Sequence, residues 1–129
     1  MTSTQHTSTR PPAALAVGVL AVLGLVGSLV MTLAHLGLGI AVLDALGAGR
    51  LVVPAAISFA TGTLLYALVA YGALRTRRWA WVAGLVVNVL AFGTAAFPIR
   101  SWISVVAIAV SVAAIAVLLS PPGRTAFRS

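Results

Sequence analysis

Apolar residues run along this chain in four blocks, separated by short breaks rich in arginine, glycine and proline. After Arg10 no formal charge occurs until Asp44, a run longer than the roughly 20 residues that span a hydrocarbon layer. A first span is predicted at about 14–36, with Pro11 and Pro12 just ahead of it, where a proline's missing N–H is not needed. Gly37, Gly39, Gly47 and Gly49 then loosen the chain around Asp44 and Arg50, and part of this apolar connection is suited to a short interfacial helix. A second span is predicted at 54–74, opened by Pro54 and closed by Arg75, Arg77 and Arg78. The third, 79–97, ends at Pro98 and Arg100, and the fourth, 102–119, stops at Ser120-Pro121-Pro122-Gly123. The membrane domain is therefore expected over 13–120. Residues 1–12 are polar and rich in Ser and Thr, too poor in apolar surface to fold, and are expected to be a disordered tail. Residues 121–129, with Arg124, Phe127 and Arg128, read as a second tail.

The first block could be taken for a cleaved leader, since Arg10 precedes it and Thr32-Leu33-Ala34 offers small residues at its end. Secretory apolar regions span about 7–15 residues, so this block is too long and a retained span is expected.

Composition strengthens the membrane reading. Of the 129 residues 61% are hydrophobic and 7% charged, with a mean hydropathy of +1.15. Soluble domains are about 45–50% apolar and about 25% charged. A chain of this length fits one compact domain without a separate soluble module. Cysteine is absent, which excludes disulfides and thiolate metal sites. Lysine and glutamate are absent too, and Asp44 is the sole carboxylate side chain. The bias toward Ala, Val, Leu, Gly and Arg points to a GC-rich bacterial genome, hence to the bacterial cytoplasmic membrane.

A net charge of +7 would suggest nucleic acid in a soluble protein, but here the arginines sit at the ends of apolar runs. They read as topology anchors meeting anionic headgroups, and no nucleic-acid partner is expected. Arg10, Arg75, Arg77, Arg78, Arg124 and Arg128 fall on one side, Arg50 and Arg100 on the other. The positive-inside rule makes the first side cytoplasmic, so both termini are expected inside, as four spans require. Aromatic anchors agree: Tyr71, Trp79 and Trp81 flank the Arg75–Arg78 turn, while Phe97 and Trp102 flank Arg100. The expected fold is thus an all-α, four-transmembrane-helix bundle, N-in/C-in.

Lipid tails are as apolar as leucine, so helices associate through small residues and interhelical hydrogen bonds. Small residues recur at helical spacing: Ala56, Ala60, Thr63, Ala67 and Ala70; Ala80, Gly84, Asn88, Ala91 and Ala95; Ser104, Ala107, Ser111 and Ala114. The first span has the pairs Ala14/Gly18 and Gly24/Ser28. Asn88 lies near mid-span, roughly 15 Å beyond Arg78, and Tyr66 roughly 13 Å from Arg75 on the preceding antiparallel helix. Unsatisfied amides are costly at that depth. Asn88 and Tyr66, with Thr61 or Thr63, are expected to hydrogen-bond between helices and to fix register.

His35 lacks a second ligand at metal spacing, and Asp44 is expected to pair with Arg50 or Arg100. No metal, cofactor or catalytic constellation is expected, and catalysis would need an acid, base or nucleophile that the buried residues do not supply. Small four-helix multidrug antiporters use a membrane-embedded glutamate, which this chain lacks. Small four-helix fluoride channels are similar in length, but their early glycine-rich segment with a following arginine is missing, and only Phe92-Gly93-Thr94 echoes them. Arg77-Arg78-Trp79-Ala80 opening an apolar helix, and Leu118-Leu119-Ser120-Pro121-Pro122 before an Arg/Phe tail, resembles small four-helix integral membrane proteins of actinobacteria. The resemblance covers the last third to half of the chain and implies a fold without an activity.

Two roles fit these observations. One is a non-catalytic accessory or interaction subunit packed against a larger membrane protein or a second copy. The other is an oligomeric channel or small-solute transporter lined by Asn88, Tyr66, Thr61 and Ser111. Transport paths usually carry intramembrane polar or charged residues, and their scarcity favours the first.

Overall fold

The computed structural model describes residues 11–47, 49–96 and 102–128. The expectations for residues 1–10, for the Phe97–Pro98 break and for Arg100 lie outside these. Among these residues six helices follow in order: α1 (Pro12–Ala34), α2 (Ala41–Leu46), α3 (Val53–Leu74), α4 (Arg78–Ala96), α5 (Trp102–Leu119) and α6 (Pro121–Ala126). Four of them, α1, α3, α4 and α5, are long and apolar enough to cross a membrane. At 18 to 23 residues they measure about 27–35 Å, close to the roughly 30 Å of hydrocarbon. Each presents large apolar side chains outward, among them Leu23, Leu64, Leu90 and Val106. Water would disfavour such a surface; lipid does not.

Prolines set the starts. Pro12 opens α1 and Pro54 falls in the first turn of α3, where their lost donors are orphans anyway. The α3–α4 turn is closed by backbone alone. Arg77 N–H donates to Gly72 O at 2.8 Å and Thr76 N–H to Ala73 O at 3.0 Å, the paired bonds of a Schellman C-cap. That motif needs a left-handed residue, and Thr76 supplies it at φ 51° where glycine is usual. At the other end, Leu36 and Leu51 form an antiparallel bridge and Val52 N–H donates to His35 O at 3.0 Å, clasping α1 to α3. Gly37 turns there at φ +68°, and a Cβ on it would meet the Leu51 backbone nitrogen at 2.6 Å. The apolar connection does contain a short helix, α2.

The helices form an up-and-down bundle. Helix α1 packs along α3 and α4 along α5, while α1–α5 and α3–α4 contacts close the ring. Small residues make the approaches possible, as expected where lipid gives no hydrophobic drive. Gly18 of α1 lies under Leu74, Gly24 under the Tyr66 ring, and Gly62 of α3 faces Ser28. Gly84 of α4 accommodates Leu118 of α5, with Val69 of α3 beside it.

The core is one-sided along the bundle axis. Val17, Ala21, Tyr66, Val69, Ala73, Ala80, Val87 and Leu118 are buried together, and all lie in the half of the bundle nearest the Arg75–Arg78 turn. Among the described residues of the opposite half the buried apolar ones are Ala34 and Ala56, both at the α1–α3 clasp. There the α4–α5 pair has no buried residue from Val89 to Ala96 or from Trp102 to Val110.

The segment after α5, read above as a tail, folds back. Ser120 caps α6 by accepting from Gly123 N–H at 3.2 Å, with Pro121 and Pro122 in the first turn. Phe127 beyond it is buried at 3% exposure and belongs to the core. Helix α6 packs against both α5 and α1.

Candidate functional site

Two places gather polar chemistry: mid-bundle and the arginine-rich end. At mid-bundle Tyr66, Asn88 and Ser111 are buried on α3, α4 and α5. The interhelical bonding expected of these positions is corrected in most of them. Asn88 Nδ2 donates to Gly84 O at 2.8 Å, Thr61 Oγ1 to Ile57 O at 2.9 Å and Thr63 Oγ1 to Phe59 O at 2.8 Å. Each donor returns to its own helix, four residues back. The reason is proximity: that carbonyl is always within reach of a short polar side chain, whatever the neighbour does. Thr61 moreover faces outward.

Tyr66 is the exception. It lies beside Ser111 of α5, whose Oγ is buried without a hydrogen-bond partner. An unpartnered buried hydroxyl is the less comfortable state in a low dielectric.

The opposite end holds His35 and Asp44. His35 Nδ1 lies 2.8 Å from Met31 O, and the ring stacks on Phe59 at 5.3 Å between centroids. The ring thus belongs to the α1–α3 clasp. The expected Asp44 pairing is not found with Arg50: among the described residues no ion pair joins them, and Asp44 Oδ1 is buried without a hydrogen-bond partner. Arg100, the other expected partner, lies outside the described residues. Among these residues no three His, Cys, Asp or Glu side chains come together as a metal group.

The arginine-rich end is more organised. Arg75, Arg77 and Arg78 of the α3–α4 turn share it with Arg124 and Arg128 of α6 and its flank. Trp102 stands at the other end, 69% exposed. The Arg75 guanidinium lies 5.4 Å over the Tyr71 ring, a cation–π contact. Trp79 packs its ring on Gly72, where a Cβ would come within 2.6 Å.

The last carbonyls of α5 are orphans of helix geometry, and each finds a donor here. Ser120 Oγ donates to Val117 O at 2.6 Å, Trp81 Nε1 to Leu118 O at 2.7 Å, and Arg124 Nε to Leu119 O at 2.9 Å. Arg78 Nε donates to Arg128 O at 2.9 Å, tying α4 to the end of the described chain. Gly123 is required where α6 turns back, because a Cβ there would collide with the Val117 carbonyl oxygen. Between these groups lies a shallow cleft, wide open to the surroundings and of about 430 Å³, lined by Arg78, Trp81, Arg124, Phe127 and Arg128.

Trp81 is therefore more than an interfacial anchor, and Arg124, Phe127 and Arg128 are more than tail. The available signal was Ser120-Pro121-Pro122: a capping serine followed by prolines marks a helix start as well as a helix stop.

Comparison with protein-family models, curated proteins and solved structures finds no match to this chain.

Proposed function

We propose that this chain is a multi-pass protein of the bacterial cytoplasmic membrane, with both termini inside, acting as a non-catalytic accessory or interaction subunit. The four apolar helices support the membrane assignment, and the arginines gathered at one end support the orientation through the positive-inside rule. The interaction role is carried by one observation. The small-residue stripes continue past the buried core, through Ala95 on α4 and Ala107 on α5, into the half where the described residues of these two helices are at most half-buried. Close packing of small residues is the main source of helix association in lipid, so these faces suit another apolar helix.

Purification in native lipid after mild crosslinking, with mass spectrometry of the retained proteins, tests this. A stoichiometric membrane partner, or a defined second copy, is expected. A monomer surrounded by lipid alone would refute the interaction role.

The oligomeric channel or transporter is the second reading, and Ser111 is the observation that favours it. Its buried, unpartnered hydroxyl beside Tyr66 is the kind of group a passing solute could use. Flux into vesicles that falls in Tyr66→Phe and Ser111→Ala would support this reading over the first.

A further inference from the structure

The cleft at the arginine-rich end combines three features. Three guanidiniums line it: Arg78 from the start of α4, Arg124 from α6 and Arg128 just after. Like charges drawn to one cleft repel one another, and the chain has no acidic side chain to offset them there. Its single carboxylate side chain, Asp44, belongs to α2 at the opposite end.

The arginines are also oriented. Arg78 and Arg124 each use Nε on a backbone carbonyl, which fixes the guanidinium planes and leaves their terminal N–H groups outside those bonds. Arginine in this state suits the tetrahedral oxygens of phosphate better than a diffuse surface charge does.

The remaining lining is apolar: the Trp81 ring, its N–H already committed to Leu118 O, and Phe127. The cleft opens at the ends of the membrane-length helices, at headgroup depth in the proposed orientation. A charged rim over an aromatic floor matches a ligand that is anionic at one end and apolar at the other.

We infer that this cleft binds the phosphate of an anionic lipid headgroup, with Arg78, Arg124 and Arg128 on the phosphate and the Trp81 ring, backed by the buried Phe127, against the glycerol and first methylenes. This rests on the membrane-spanning reading and is independent of the interaction role.

Native mass spectrometry of the full chain in detergent, titrated with phosphatidylglycerol or phosphatidylcholine, tests it. Phosphatidylglycerol is expected to be retained in preference. The pair Arg124→Gln/Arg128→Gln is expected to weaken its retention by about tenfold or more, given the worth of an arginine beside an anionic lipid. The pair Arg75→Gln/Arg77→Gln removes the same charge from the same end without touching the cleft, and is expected to change retention by less than about twofold, because charges out of contact with the ligand are screened by solvent and salt. Gly123→Ala keeps every charge but displaces α6, and is expected to lose retention as the cleft pair does. Equal loss in both arginine pairs would overturn the site in favour of diffuse attraction. Full retention in Gly123→Ala would overturn the geometry. Displacement of the lipid by an equal concentration of inorganic phosphate would overturn the lipid assignment in favour of a free-phosphate site. Alkaline carbonate washing of native membranes separates the two readings. Release of the chain would refute the membrane-spanning reading, whereas a retained chain indifferent to headgroup would refute the cleft alone.

Discussion

The two ends of this bundle are built from the same residue types and differ in how far they close. Toward the arginine-rich end, α1, α3, α4 and α5 converge on Val17, Val69, Ala73, Ala80 and Leu118, and α6 with Phe127 covers the exit. Away from it, α1 and α3 stay clasped through His35, Phe59 and the Leu36–Leu51 bridge, while the described residues of α4 and α5 are at most half-buried. Small residues are present in both halves. What distinguishes the closed end is the polar scaffold around the end of α5, in which Ser120, Trp81 and Arg124 satisfy three successive carbonyls from three places in the chain. Small residues permit close approach; directed hydrogen bonds decide where it happens.

Substitutions can break that contrast, and the largest effect is expected from Leu118→Ala. Leu118 is fully buried against Gly84, and its truncation should cost about 2 kcal/mol, the low end of the range in water because lipid removes part of the transfer term. Leu64→Ala, on a side chain 70% exposed, should stay within about 0.5 kcal/mol. Unfolding of both variants in mixed micelles makes the comparison, and equal costs would deny that the two surfaces differ. Gly123→Ala comes next, at about 1–2 kcal/mol for overpacking, and should speed tryptic cleavage after Arg124 by lifting and loosening α6. Unchanged cleavage would mean that α6 is not held as described.

Smaller effects sharpen the picture through their sign. Ser111→Ala removes a buried hydroxyl with no partner, so stability should stay level or rise by up to about 1 kcal/mol. A loss of that size would mean that the hydroxyl is bonded after all. Thr76→Gly relieves a left-handed residue in the Schellman cap and should stabilise by a few tenths of a kcal/mol up to about 1 kcal/mol. A loss instead would show that the Thr76 side chain, whose Oγ1 reaches Arg75 O at 2.8 Å, outweighs the strain.

The spans were legible because three of the apolar runs end in proline or arginine and the first in glycine, and their bounds fall within about two residues of the helices. Asn88 was legible as a buried position, since a mid-span amide cannot face lipid cheaply. The direction of its donor was not, because the carbonyl at Gly84 competes with every interhelical partner and wins by distance. Thr61 and Thr63 follow the same rule. Six residues are too few to show helical periodicity, so α6 was hidden within an apparent tail, although its serine and proline cap was in plain view. The open half was invisible for a different reason. Ala91 and Ala95 repeat the spacing of Ala80, Gly84 and Asn88, and spacing alone does not say which part of a stripe is covered.

Photocrosslinking in native membranes tests the central claim most directly, with a single cysteine introduced for a reagent that finds no other thiol in this chain. Ala107→Cys lies on the open part of α5, Ala114→Cys on its buried part. The account predicts one dominant protein adduct from position 107, a membrane partner or a second copy, and crosslinks confined to the chain's own helices from position 114. Lipid adducts alone from position 107 would contradict it.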